Sequence, residues 1–595
     1  MSGFIDFAPV YVNGLLAIFF VFVLPGLVLV RAFEIPDFPQ RWLAIFLSSL
    51  AANHVLATLV ATFHLDPLAT YRVVTTVLVA ALIFMMARSA ASSAPTQPGA
   101  SILVSADVKW MACTLVVLGF TYFNVWKHGV PNIFQGSDVS GSWNVWARIW
   151  SNGLFPIRSM GYPQFIPTTW AATYIFTGSP EQYFAYYTYI VLIIVPIVLL
   201  TAILGRVNWC YAVSLLFVFA WFVAEIREPW IRSTLQEGFP DWIAAILALG
   251  GTALFLTNTP EGGLDRWKIV TSLLSLCLLS IAAATKPIHG LVAIALLIAI
   301  CTEAVRHLQG TKRNRFIAAA IGVVAIFVTT YAINYSHLAF RGMPHYPVTE
   351  LSERLSRAAN LLNSNFTLPF RILLFAGLAL SPFLPRVRWL ALPLGAGLWL
   401  WASTASYDLR NLLGFLLIAA FIPLFAVARR WATARSAPGE RQWHVRDIAV
   451  AAGVALLCVL LTLPLALSDE KLKQRFANEQ MIRGYGIEIN QNVEKLLVRG
   501  CTVFSVDGYI LTIVDFQRFL PQIRFFHVVD PLTDQLTKQI NDSAGCTGIL
   551  YPPRTTHPSI LEFIAAQTKA RGYVRVVEHN GMLLLASDAK PTAKN

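Results

Sequence analysis

Charge is scarce in this chain. Only 13% of its 595 residues are Asp, Glu, Lys or Arg, against about a quarter in ordinary soluble domains, while 56% are hydrophobic. A soluble globular protein is thereby excluded. The 45 Lys and Arg outnumber the 32 Asp and Glu, yet they are scattered over short loops and form no stripe, so no nucleic-acid partner is expected. Cysteine is also scarce. Five of the seven (Cys113, Cys210, Cys277, Cys301 and Cys458) fall in or beside apolar segments at no metal-ligand spacing and read as small core residues. A Gly-rich phosphate loop is absent from the polar C-terminal region. An inverted repeat is absent too, as is a pair of Gly/Pro-broken helices in matching halves, which leaves a transporter little support.

What is abundant is the apolar run. About fourteen segments recur, each long enough to cross a hydrocarbon core of roughly 30 Å as a helix. They lie near 8–30, 42–63, 70–87, 107–126, 182–204, 207–224, 241–257, 269–285, 289–305, 316–338, 369–385, 389–403, 411–427 and 447–468. The first lacks a basic leading region and a small-residue cleavage site, so it is expected to stay as a helix. Lys and Arg mark the loops that remain inside. With the N-terminus outside, those loops carry Arg31 and Arg41, Arg88, Arg206, Arg266 and Lys268, then Arg306, Lys312, Arg313 and Arg315. Arg386 and Arg388, and finally Arg429, Arg430, Arg435, Arg441 and Arg446, continue the pattern. The loops 127–181, 225–240, 286–288, 339–368 and 404–410, with everything after 468, then lie outside. Every segment of unusual chemistry falls on that one face, which suits an enzyme at an outer membrane surface better than a channel.

From about 469 the chain turns polar. TVFSV (502–506), IRFFHVV (523–529), TGILYP (547–552), VRVVEH (574–579) and MLLLAS (582–587) predict strands, with helical patterns near 487–498, 532–540 and 558–571. The expected organisation is therefore a polytopic α-helical membrane domain over 1–468 and a small α/β extracytoplasmic domain over 469–595. Cys501 and Cys546 are placed for a disulfide in an oxidising compartment. This domain either binds an acceptor or supports the membrane part.

The outer loop holds the most distinctive stretch, IFQGSDVSGSWNVWARIW at 133–150. Trp143, Trp146 and Trp150, three and four apart, predict a short amphipathic helix in the membrane interface. Asp138 precedes it with no partner close by in sequence, and ionisable groups at such depth are usually functional. The loop 339–368 adds Leu351, Leu355, Ala358 and Leu362 at helical spacing, either a plain connector or a gate for a lipid substrate.

The string DVSGSWNVWAR resembles the first outer loop of bacterial polytopic glycosyltransferases of the GT-C superfamily, where an Asp is followed by Trp-Asn and then Ala-Lys. Asp138, Trp143, Asn144, Ala147 and Arg148 match, with Arg for Lys. GYPQFIPTTWA (161–171) is similar to the family's Asp-Tyr-Pro stretch through Tyr162, Pro163 and Pro167, with Gly161 in place of the acid. EGFPDWIAAIL (237–247) points to Asp241 as the counterpart of a Gly-Tyr-Ala-Asp segment. ATKPIHG (284–290) resembles a Thr-Lys-Asn-Glu-Gly turn through Thr285 and Lys286, with Ile288 or His289 where the Glu belongs. YDLRNLLGFLLIAAFIPL (407–424) resembles the family's late Arg-bearing turn and Pro-containing helix. The matches run over about 130–425. The lost Glu departs from the pattern, as do the four helices before the loop.

The resemblance implies a GT-C-like fold in a bacterial-type inner membrane. It implies transfer of a sugar from a polyprenyl-phosphate donor to a glycan, lipid or protein acceptor on the outer face, with inversion. An acceptor hydroxyl needs a general base, and Asp138 is the candidate. The leaving phosphate needs cations or a metal. Lys286 and Arg410, expected to be exposed on the outer side where topology supplies no reason for a cation, are the candidates. Trp143, Asn144, Arg148, Tyr162, Asp241 and His289 complete the substrate-binding set. Asp241 either holds a divalent cation (Mg or Mn) with Asp138, positions the acceptor, or caps its helix. Arg227, Glu228 and Arg232 are either an ion-paired surface or part of the donor site, and His289 or His345 is more often a surface histidine than a ligand. The alternative activity is transport or flipping of a lipid-linked sugar.

Overall fold

A computed structural model describes residues 2–31, 37–92, 139–156, 161–178, 182–226, 237–258, 263–338, 350–404, 408–434, 491–506, 522–526, 545–551, 558–579 and 582–587, with isolated positions between them. The chain forms two compact units, Met1–Ile133 with Ile149–Asp469, and Phe134–Arg148 with Glu470–Asn595. The sequence placed all of 127–181 with the membrane part, whereas Phe134–Arg148 gathers with the C-terminal residues.

The first unit is helical. Helices α1 (Ser2–Phe22), α2 (Leu24–Arg31), α3 (Phe38–Thr62) and α4 (Pro67–Ser92) lead into α5 (Asn144–Ser151), which begins in the second unit, and α6 (Phe165–Thr177). There follow α7 (Tyr183–Val207), α8 (Trp209–Glu225), α9 (Pro240–Thr257), α10 (Arg266–Thr285), α11 (Gly290–His307) and α12 (Gly310–Ser336). The bundle ends with α13 (Leu351–Asn365), α14 (Leu368–Leu380), α15 (Arg388–Thr404) and α16 (Leu413–Ala434). Among the described residues nine segments are long and apolar enough to cross a membrane, and α8 and α14 are shorter apolar helices. Twelve of the expected spans coincide with these helices or with α15; the spans at 107–126 and 447–468 lie almost wholly outside the described residues.

Every residue of α9 is buried. It packs against α7, α10 and α16, and its approach to α10 depends on Gly251. A Cβ there would stand 2.8 Å from the Ser275 carbonyl oxygen, and the Ser275 hydroxyl donates to the Gly251 carbonyl at 2.6 Å. The short α6 was missed in the sequence because its threonines depress hydropathy. Thr168, Thr169, Thr173 and Thr177 each donate back to a carbonyl three or four residues earlier, which hides their polarity inside the helix.

Basic loops assigned to the inside meet at one end of the bundle. Arg206 pairs with Asp37, Gln40 Nε2 donates to Thr271 Oγ1 at 2.6 Å, and Asn258 Nδ2 donates to the Lys268 carbonyl at 2.8 Å. Arg386 closes this end with two 2.7 Å bonds to Glu303 and one of 2.6 Å to the Phe255 carbonyl. The opposite ends of α9 and α10 carry the unusual chemistry. There, Glu225 accepts from the Thr367 amide at 2.9 Å and its hydroxyl at 2.8 Å.

In the second unit, β1 (Thr502–Val506), β2 (Ile523–Phe526), β3 (Thr547–Tyr551), β4 (Val574–His579) and β5 (Met582–Ser587) form one sheet ordered β2-β1-β3-β5-β4. β1 pairs in parallel with β2 and β3, and β5 antiparallel with β3 and β4. Alternate residues supply two cores: Val503, Leu550 and Leu584 on one face, Phe504, Ile549 and Leu585 on the other. Helical residues Val493, Leu496 and Leu497 cover the first, and Ile564 of α17 (Pro558–Arg571) covers the second. Burial on both faces explains the continuous apolar runs in the central strands β3 and β5. Cys501 and Cys546 are joined in a disulfide. Val145 packs against the Val503 core, which ties part of the outer loop into this unit.

Candidate functional site

Four chain segments bring their polar side chains together where α9 begins and α10 ends. Pro240 opens α9 with its fixed φ. Phe239 is the N-cap and makes no side-chain cap bond, so Asp241, one residue inside, is not the helix cap. Instead Asp241 Oδ1 lies 2.9 Å from Lys286 Nζ, with the side chains 2% and 12% exposed. The expectation of an exposed Lys286 is corrected accordingly. α10 ends at Thr285, Lys286 is extended, and Pro287 starts a 3-10 turn through His289. That break in the helix aims the lysine at α9.

Lys286 sits between two spans. Burial by itself draws its ammonium down, but the Asp241 carboxylate and then the Tyr162 phenol outweigh that loss and hold its pKa above an ordinary lysine's. The Tyr162 ring centroid is 5.5 Å from Lys286 Nζ. Tyr162 is placed by its neighbour: Gly161 has φ +77, left-handed backbone that an acidic residue rarely adopts, and its carbonyl accepts from the Tyr331 hydroxyl at 3.0 Å. The glycine that departs from the family's acid thus has a backbone reason.

Arg410 is also paired rather than exposed. It follows Asp408 in a 3-10 turn, Leu409–Leu412. Asp408 accepts from the Arg410 amide at 2.9 Å, from Nε at 2.9 Å and from Nη2 at 2.7 Å. The guanidinium carbon stands 4.5 Å from the Phe239 ring centroid, and Trp401 Nε1 anchors the turn by donating to the Asp408 carbonyl at 2.9 Å. Arg410 acts electrostatically on both Asp241 and Lys286. His289, expected at the surface, is 3% exposed. Its ring stacks on Phe415 and fills the space that a Cβ at Gly414 would need, and among the described residues its Nδ1 has no hydrogen-bond partner.

Trp143, Asn144 and Arg148 belong to the second unit, all three buried. Trp143 and Trp146 lie against each other with centroids 5.2 Å apart. Trp150 is buried among Ala57, Ala61 and Ala171, with its indole donating to Gln164 Oε1 at 3.2 Å. The expected interfacial stripe is corrected in part, since Trp143 and Trp150 are buried side chains while Trp146 is half-buried. Asp138, Arg227, Glu228, Arg232 and His345 lie outside the described residues.

Three residues escaped the sequence reading. Asp408 had an available signal, its Asp-x-Arg spacing. Buried Glu237 stood in a quoted motif without being singled out, and Tyr331 offered no signal, since its hydrogen bond spans 170 positions. Among the described residues, no three His, Cys, Asp or Glu side chains group as metal ligands. Asp241 faces the Lys286 ammonium, and Asp138, the other carboxylate expected to hold a divalent cation, lies outside the described residues.

Fold and site define a polytopic helical membrane protein with a charge-paired cluster at one end of its bundle and a small disulfide-bonded α/β unit. No family model matches the chain, and no curated protein matches it. Among solved structures it is similar to ArnT from Cupriavidus metallidurans in the apo state, at 13% identity and TM-score 0.47, over 81% of this chain and 98% of that one. It is also similar to the same ArnT bound to undecaprenyl phosphate, at 14% identity and TM-score 0.41, over the same shares.

Proposed function

We propose that the protein is an integral membrane glycosyltransferase that moves a sugar from a polyprenyl-phosphate donor to an acceptor hydroxyl on a glycan, lipid or protein. The observation that carries this is the convergence of Lys286, Arg410, Asp241, Tyr162 and His289 from separate segments at one end of the bundle. Two cations in a sheltered, aromatic-lined setting are what a lipid phosphate requires, since a low dielectric strengthens each contact. The sequence motifs supply the sugar-transfer chemistry. A transporter would need ionisable groups spread along its helices at mid-membrane; the paired groups here gather at the ends of α9 and α10.

In the proposed reaction the acceptor oxygen attacks the anomeric carbon. The bond from that carbon to the phosphate oxygen breaks with its electron pair passing to the phosphate, and the acceptor proton passes to a carboxylate. Asp138 is the proposed base, and one displacement inverts the anomeric centre. Lys286 and Arg410 meet the charge growing on the leaving oxygen, and Tyr162 forms a wall beside Lys286. Trp143, Asn144 and Arg148 are proposed to bind substrate. Disulfides persist in oxidising compartments, so the Cys501–Cys546 bond supports a C-terminal domain outside the inner membrane, in line with the loop charges.

The test is transfer from a panel of short-chain polyprenyl-phosphate sugars, with membrane extract as acceptor source, by wild type, Asp138→Asn and Lys286→Gln in lipid. Loss of several orders of magnitude in both folded variants is expected. Unchanged transfer in Lys286→Gln would remove the phosphate site from this cluster.

A further inference from the structure

The two cations are not bare. Lys286 is matched by Asp241 at 2.9 Å, and Arg410 by Asp408 through a forked contact at 2.7 and 2.9 Å. All four side chains are 14% exposed or less. Two positive and two negative charges thus cancel before any ligand arrives. This matters because, if the site acts on a polyprenyl-phosphate sugar as proposed above, its charge demand changes during turnover. The donor is a phosphodiester with one negative charge. Transfer leaves a phosphomonoester, whose second ionisation near pH 6 brings it to about −2 at neutral pH. A site of surplus positive charge would grip that product harder than the donor and be inhibited by it.

We infer that Asp408 is a specificity-determining residue that holds Arg410 in place and cancels its charge, so that the site favours a singly charged phosphodiester over the doubly charged phosphomonoester and releases the latter. Its geometry serves both tasks. The carboxylate accepts from the Arg410 amide as well as from the guanidinium, and its carbonyl is anchored by Trp401. The guanidinium carbon is thereby kept 4.5 Å from the Phe239 ring centroid. A residue serving only to orient Arg410 needs acceptor atoms there; only charge cancellation needs the carboxylate's charge.

The test uses the full-length protein in lipid and two sugar-free probes, farnesyl phosphate (the monoester) and farnesyl methyl phosphate (the diester), with affinities measured at pH 8. Asp408→Asn keeps the shape and an acceptor oxygen but removes the charge. It is expected to raise the monoester-to-diester affinity ratio about tenfold, as one uncancelled unit charge a few ångströms from the ligand should in a sheltered site. Asp408→Ser, a second neutral variant that retains an acceptor for the Arg410 amide, should move the ratio the same way, and Asp408→Glu should leave it near the wild-type value. A ratio unmoved in both neutral variants, or moved equally in Asp408→Glu, would overturn the inference while leaving the glycosyltransferase assignment intact. If wild type bound neither probe, or if Lys286→Gln bound both as well as wild type, that assignment would fall and the role of Asp408 with it.

Discussion

The Asp241–Lys286 pair offers a measurable consequence of burial. At 2.9 Å, an effective dielectric near 20 puts the attraction at roughly 6 kcal/mol, most of which offsets the desolvation of both ions. Removing one partner strands the other, at a cost of about 3–5 kcal/mol for a buried pair. Asp241→Asn and Lys286→Gln should each destabilise by that amount, read as reversible unfolding in mixed micelles. The double variant should cost less than either single one, since two neutral amides leave no buried charge. Transfer activity should stay lost in the double variant, separating stability from chemistry. Single variants within about 1 kcal/mol of wild type, or a double variant equal to the sum of the singles, would refute the pair's burial and coupling.

Gly414→Val should displace the His289 ring, at a cost of about 1–3 kcal/mol from overpacking, and its expected tenfold or larger loss of transfer is checked by steady-state assay beside a thermal melt. Gly161→Ala has room for its methyl, 3.4 Å from Tyr335, so its cost is the left-handed backbone; about 1 kcal/mol is expected in the same melt. Replacing Cys501 and Cys546 by Ser opens a loop with a sequence separation of 45, worth about 4 kcal/mol in the chain-entropy treatment; proteolysis of the C-terminal unit should accelerate, and reductant should reproduce the effect in wild type. Arg386→Met should destabilise by about 3–5 kcal/mol because Glu303 keeps its buried charge, and adding Glu303→Gln should recover most of it in the same unfolding assay.

Hydropathy and alternation were legible because they are local. A span needs only enough consecutive apolar residues, and Tyr183–Val207 or Arg266–Thr285 announces itself whatever it packs against. The strands were equally plain, from apolar runs such as MLLLAS in β5, buried on both faces, and from alternation in the exposed edge strand β4. The helix Phe165–Thr177 was not, because its threonines satisfy their hydroxyls only once the helix exists. The motifs singled out Asp241, Lys286, Arg410, Tyr162 and His289 one by one. Their side chains were expected at the surface or in loops, and packing put them inside.

The sequence by itself determined the apolar spans, the strand pattern, the cysteines available to pair and the residue types the chemistry needs, each being a matter of composition and near-neighbour spacing. Only the tertiary structure decided that Asp241 faces Lys286, that Arg410 is held by Asp408 over Phe239, that Tyr331 supports the Tyr162 turn and that Trp150 is a packing residue. Those outcomes depend on which helices become neighbours and how closely they approach. That is set by the summed fit of many side chains, such as the glycines at 251 and 414, and no single segment carries it.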